Sequence, residues 1–187
     1  MRLKQLSLLD QIVLALVVEQ PRHGFAVAAE ISNDEALALA ISVRRALVYR
    51  AIDDLRRASL VAAQRRETGQ RGSPRVVWRA TARGKRVSRA WLDEVVEHPR
   101  DARLELLAKF ALRARRGLSL RKLATAQRQR FEPLATALRR NRRDETSAAA
   151  LVRRWRYESV AAMVGLLRDL ESHEFESKRV KRGGASG

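Results

Sequence analysis

The sequence predicts a mainly α-helical protein in which a single β-hairpin separates an N-terminal helical part from a second, all-helical part. Three observations carry this. The composition favours helix, with nine Gly, four Pro and 5% aromatic residues among many Ala, Leu and Arg. Apolar residues recur every three or four positions over most of the chain. Only two short runs, Leu60 to Arg66 and Arg75 to Ala80, group apolar and β-branched residues around a polar, Gly-containing link.

Taken in order, Leu8, Leu9, Ile12, Val13, Leu16 and Val17 lie at helical spacing after Ser7, a residue suited to capping, and this helix ends near Gln20-Pro21. Gly24 allows a turn, Phe25 to Ile31 reads as a short second helix, and Ser32-Asn33-Asp34 stops it. Residues 35 to 41 are Ala- and Leu-rich and compatible with helix. Ser42 is the best cap for a helix from Val43 to Ala58. At about 100° per residue, Val48, Ala51, Leu55 and Ala58 share one side of it, with Arg45, Ala46, Tyr49, Arg50, Asp53, Arg56 and Arg57 opposite. The hairpin follows, with Glu67 to Pro74 as its basic tip. Thr81 caps a helix running to about Glu97, with Val87, Trp91, Leu92 and Val95 on its apolar stripe. Pro99 closes this part. Helices are then expected near Leu104 to Arg115, Ser119 to Asn141 and Ser147 to Ser172, and a disordered basic tail over 177–187. The expected domains are 1–97 and 98–176.

The charge narrows the partners. The net charge is +18, from 39 Lys and Arg against 21 Asp and Glu, so polyanions are favoured. Residues 1–40 carry three basic and five acidic side chains, whereas 41–91 carry fourteen basic and three acidic. A second stretch, 113–143, holds eleven basic side chains and one acid, Glu132, so i+4 carboxylates for its arginines are largely missing. With no cysteine, disulfides and thiolate metal sites are excluded. No run approaches the roughly 20 apolar residues of a membrane helix, and no leader-like cleavage pattern follows the N-terminal apolar run, so a soluble, cytoplasmic protein is expected.

Helix, helix, cationic helix and basic hairpin, in that order, make a winged helix-turn-helix with a two-stranded wing. The third helix can enter the major groove of double-stranded DNA, which admits an α-helix and distinguishes the base pairs. Arg44, Arg45, Ala46, Tyr49 and Arg50 are the candidates for base edges or flanking phosphates, although the helical wheel puts Arg44 on the core side unless the first turn frees it. Arg65, Arg66, Arg71 and Arg75 flank or occupy the hairpin tip and can reach phosphates or the minor groove, adding affinity with little sequence reading.

Four stretches resemble the PadR family of bacterial and archaeal transcriptional regulators. They are Pro21-Arg22-His23-Gly24-Phe25; Val48 to Leu55 followed by Leu60-Val61; Trp78 to Gly84 continuing to Trp91-Leu92; and Leu106 to Phe110 with Trp155-Arg156-Tyr157-Glu158. The resemblance spans about residues 3–175. It departs at Arg44 to Leu47, where the family often has a Ser-Pro-Gly-Thr-like run, and at Ser59, where it usually has glycine. The resemblance implies a homodimer joined through a C-terminal α-helical dimerisation domain, a roughly palindromic operator, repression, and release by a small aromatic or cationic effector. Trp91, Phe110, Phe131, Trp155, Tyr157 and Met163 are candidates to line an effector pocket, or to pack in the core or the dimer interface.

Catalysis is not expected. His23, His98 and His173 stand 75 residues apart, without a metal-binding HExxH, a phosphate loop or a nucleophile motif, so no metal or cofactor is anticipated. His23, in a turn, is expected to bond local backbone. A protein-binding adaptor that uses the winged part as a scaffold is the alternative reading, but the excess charge of 41–91 has no use in it. RNA binding through 113–143 lacks the aromatic residues that stacking would need, since only Phe131 falls there.

Overall fold

The computed structural model describes residues 6–68, 74–140 and 147–172. The chain folds as two units, one formed by Met1–Glu94 with Leu107–Leu112 and the other by Val95–Leu106 with Arg113–Gly187.

The first unit is built around α1 (Leu8–Glu19). Six consecutive residues, Ile12 to Val17, are buried, so this helix is apolar on every side and lies inside the unit. Ser7 and Asp10 form a reciprocal capping box at its start. The strand β1 (Arg22–His23) leads into α2 (Gly24–Asn33) and α3 (Glu35–Ala40). The recognition-helix candidate is α4 (Arg45–Arg57), whose Val48, Ala51, Ile52 and Leu55 are buried as the wheel requires. Both α4 and α5 (Ala82–Asp93) pack on α1. Trp91 and Leu92 of α5 join the same core, together with Ala108, Ala111 and Leu112.

The wing strands are β2 (Val61–Thr68) and β3 (Pro74–Ala80), antiparallel, with Val61 opposite Ala80 and Glu67 opposite Arg75. A register shift between Ala63 and Arg65 bulges the strand at Gln64, and both Arg65 and Arg66 beyond it are exposed. The expected two-stranded wing has a third member. Strand β1 pairs with β3, Arg22 against Trp78 and His23 against Val77, giving the order β1-β3-β2. Two residues are too few to show an alternating pattern, so β1 escapes a sequence reading.

Other boundaries also move. The helix expected from Val43 starts at Arg45, with Arg44 rather than Ser42 as its N-cap, and Arg44 makes no side-chain cap bond. The helix expected to reach Glu97 stops at Asp93, because the backbone N–H and C=O of Val96 bond the Gln127 amide at 2.7 and 2.9 Å instead of continuing the helix. The turn out of α4 holds Ser59 at φ 58°, the left-handed conformation in which the usual family glycine would be unstrained.

The second unit contains α6 (Pro99–Ala102), not foreseen, then α8 (Leu120–Arg140) and α9 (Ala148–Ser172). The helix α7 (Glu105–Arg115) contributes its middle residues to the first unit and its ends to the second. Leu123, Ala124, Gln127 and Phe131 of α8 and Val160, Val164, Leu167 and Leu170 of α9 are buried at the helical spacings of a packed antiparallel pair. Gly117, at φ 64°, makes the turn before α8, and buried Arg113 donates from Nε and a terminal nitrogen to the Ser119 carbonyl at 3.0 and 2.7 Å. The expected tail over 177–187 lies outside the described residues.

Candidate nucleic-acid interface

The outward side of α4 is where the expected contacts gather. Arg44, Arg45, Ala46, Tyr49 and Arg50 are all exposed. At the N-cap position Arg44 escapes the core-side placement of the wheel. No acidic residue occupies the first turn, so the positive end of the helix adds to the charge of the arginines. Arg56 and Arg57, on the C-terminal turn, are held differently: each pairs with an aspartate three residues earlier, Arg56 with Asp53 at 3.7 Å and Arg57 with Asp54 at 2.9 Å. Arg44, Arg45 and Arg50 make no ion pair among the described residues. The cationic potential of α4 is therefore concentrated at its N-terminal half.

The wing supplies a second group. Arg65 and Arg66 are exposed and Arg75 is half-buried, while the expected tip residue Arg71 lies outside the described residues. Arg45 and Arg75 come together over one aromatic ring: their guanidinium carbons lie 4.6 and 5.5 Å from the centroid of Phe25 in the first turn of α2. The composition of the Pro21 to Phe25 turn did not disclose this contact, which depends on β1 fastening α2 to β3.

His23 behaves as expected of a turn residue. Its Nδ1 accepts the Ala26 N–H at 3.0 Å and caps α2. Gly24 is not needed for backbone freedom, since its φ is not positive. It is needed for space, because a Cβ there would stand 2.7 Å from Cε1 of Tyr49. Leu47, on neither of the expected faces, is 45% exposed on α4. Arg79, Arg83, Lys85, Arg86 and Arg89 are further exposed cations that the charge count implied and the motif reading did not place.

The six effector-pocket candidates fall in both units, two in the first and four in the second. Trp91 and Phe110 are buried in the first unit, where the Lys109 ammonium lies 5.2 Å above the Trp91 ring. Phe131 is fully buried in the second, Tyr157 and Met163 are partly buried, and Trp155 is 73% exposed. An open depression on α8 is lined by Gln129, Glu132, Pro133, Thr136, Ala137 and Arg140, and none of the six contributes to it.

The 113–143 stretch corrects one expectation. Two of its arginines, Arg128 and Arg130, find carboxylates, chiefly from outside their own helix. Arg128 donates to Glu171 at 2.9 and 3.0 Å and to Glu132, Arg168 also donates to Glu132, and Arg130 reaches Glu97 at 2.6 Å. The hydrogen bond from Arg168 to Glu132, and that from Arg128 to Glu171, hold both carboxyls below the usual carboxylate range. Arg113, Arg128 and Arg130 of this stretch are thus engaged within its own unit. Among the described residues no group of acidic and histidine side chains is placed to hold a metal, and no helix is long and apolar enough to cross a membrane.

Residues 13–90, from α1 through the wing to α5, match the profile of the transcriptional regulator PadR-like family. Over that span the chain is similar to the PadR-like family. This family consists of transcriptional regulators, not enzymes. The PadR-like span includes α4, all three strands and Phe25, whereas the resemblance noted at Leu106 to Phe110 and Trp155 to Glu158 falls beyond it. Two solved structures are similar to this chain. One is Bacillus subtilis PadR in complex with operator DNA, at 16% identity and a TM-score of 0.46, covering 89% of this chain and 98% of that one. The other is smu.1604c from Streptococcus mutans UA159, at 14% identity and a TM-score of 0.38, covering 88% and 98%. Comparison with curated proteins finds no match.

Proposed function

We infer that this PadR-like regulator binds a specific DNA sequence as a homodimer, represses by occupying a roughly palindromic operator, and is released by a small aromatic or cationic effector. The observation that carries the DNA reading is the exposed N-terminal half of α4, where Arg44, Arg45 and Arg50 stand beside Tyr49 and Ala46 without intramolecular carboxylates among the described residues. Laid in the major groove, Arg45 or Arg50 can bond guanine with two donors, and the Ala46 methyl can meet thymine. Arg65, Arg66 and Arg75 then serve phosphates and fix the register.

Support for a second copy comes from α9. Its inner face is used by α8, yet Leu151, Val152, Trp155 and Leu166 are 70%, 57%, 73% and 46% exposed. So much exposed apolar surface on one helix favours association, and a two-fold dimer would set two copies of α4 on half-sites about one DNA turn apart. Release by an effector follows from the family resemblance.

The test is binding to DNA upstream of the protein's own gene against a scrambled duplex of equal length, at two salt concentrations. A preference for the upstream duplex that survives added salt supports sequence reading; equal binding that collapses with salt leaves only polyanion affinity. Light scattering of the chain and of Trp155→Glu tests the dimer. A compound panel screened for a raised melting temperature and for loss of DNA binding tests the effector.

A further inference from the structure

We propose that Phe25 is a positioning residue for DNA reading, whose ring presets the guanidinium groups of Arg45 and Arg75 so that the start of α4 and the wing present their cations together. This rests on the DNA-binding reading above and concerns the same site. Phe25 is large and apolar yet 40% exposed, so the core does not account for it. What covers it is charge: Arg45 at 4.6 Å and Arg75 at 5.5 Å from its ring centroid.

Three elements build this contact. The pairing of His23 with Val77 ties β1 to β3, and Phe25 follows two residues after His23 while Arg75 precedes Val77 by two. Arg45 opens α4, which packs against α2. A shift of the wing relative to α4 would break one stack or the other.

The chemistry suits recognition. A guanidinium resting on an aromatic face keeps its in-plane N–H groups available for oxygen acceptors, the geometry that guanine and phosphate require. Arg is long and loses much rotamer freedom when it is fixed at an interface. Fixing it in the free protein, on a ring, moves that loss ahead of binding. Base reading by α4 and phosphate binding by the wing then become coupled through one side chain that itself touches no DNA.

The experiment uses the full chain and a duplex that the wild-type protein selects from a randomised library. Phe25→Leu keeps an apolar side chain but removes the π face, and Phe25→Tyr restores it. Phe25→Leu is expected to weaken the selected duplex about three- to tenfold, the order expected for immobilising a long side chain, with an unchanged melting temperature, while Phe25→Tyr binds as wild type. In an Arg45→Ala/Arg75→Ala background Phe25→Leu should have no further effect. Wild-type affinity in Phe25→Leu, or an equal loss in the double-alanine background, overturns the proposal while leaving the DNA reading intact. A wild-type chain that selects no sequence overturns both, and is recognised before any variant is made.

Discussion

Gly24 and Tyr49 share one small space: a Cβ on Gly24 would meet Cε1 of Tyr49 at 2.7 Å, Cδ1 at 3.0 Å and Cδ1 of Ile52 at 3.2 Å. The ring of a candidate base-reading residue is thus seated against the first residue of α2. Gly24→Ala displaces that ring, which can swing outward because Tyr49 is 47% exposed. Overpacking typically costs about 1 to 3 kcal/mol, offset by up to about 1 kcal/mol from better helix propensity. The expected result is a net destabilisation of about 0 to 2 kcal/mol and a clear loss of affinity for selected DNA. Chemical denaturation and DNA titration of the same variant separate the two effects.

Gly84 should behave differently. A Cβ there would stand 2.1 Å from the Leu60 carbonyl oxygen, a backbone atom that already accepts the Thr81 N–H at 2.9 Å and the Thr81 hydroxyl at 3.2 Å. No side chain can yield. Gly84→Ala is expected to destabilise by about 2 kcal/mol or more despite the gain in helix propensity, read as a lowered denaturation midpoint with an unchanged slope.

The arginines of α4 should divide by their partners. Arg45→Ala is expected to cost about 1 to 3 kcal/mol on selected DNA and to relax the preference at one base position. Arg57→Ala, whose guanidinium is held by Asp54 at 2.9 Å, should change specific binding far less. Arg66→Ala should weaken all sequences alike and lower the salt slope by about one. Titrations against selected and scrambled duplexes over a salt series check all three.

Acid should act on the α8–α9 pair. Glu132 and Glu171 are held below the usual carboxylate range by bonds from Arg168 and Arg128, respectively. The unfolded chain titrates these groups near the ordinary value of about 4.3, so it binds more protons in the interval below that value and above the folded ones. The stabilisation is complete above this interval and is lost as pH falls through the folded values. Amide exchange in α8 and α9 should therefore be flat from neutral pH to about 5 and accelerate, after correction for intrinsic rates, below about 4. Glu132→Gln should weaken that dependence.

Patterns local in sequence were readable, and patterns closed by distant partners were not. The inner stripe Val48, Ala51 and Leu55, the Ser7 and Thr81 caps and the two wing strands follow from spacings of two to four residues. The end of α5 does not, because what stops it is Gln127, 31 residues on. The carboxylate for Arg128 is likewise 43 residues away, which is why a search at i+4 left most of that stretch without partners. On the candidate site, the exposure of Arg45, Tyr49 and Arg50 was legible from the wheel. The stack on Phe25 was not, since it exists only once a two-residue strand has joined α2 to the wing.

The buried Lys109 donates to the Glu94 carbonyl at 2.8 Å, and Ala108, Ala111 and Leu112 lie in the same core as Trp91 and Leu92. The first unit of this molecule is consequently not a cassette that can be cut out with one pair of scissors. A hybrid spliced in the stretch before Pro99 would keep α4 and the wing but leave behind Ala108, Ala111 and Leu112 of the core and the Lys109 that lies over the Trp91 ring. Recombination that preserves this module has to carry the chain onward past Leu112, a constraint on how such regulators can exchange their halves.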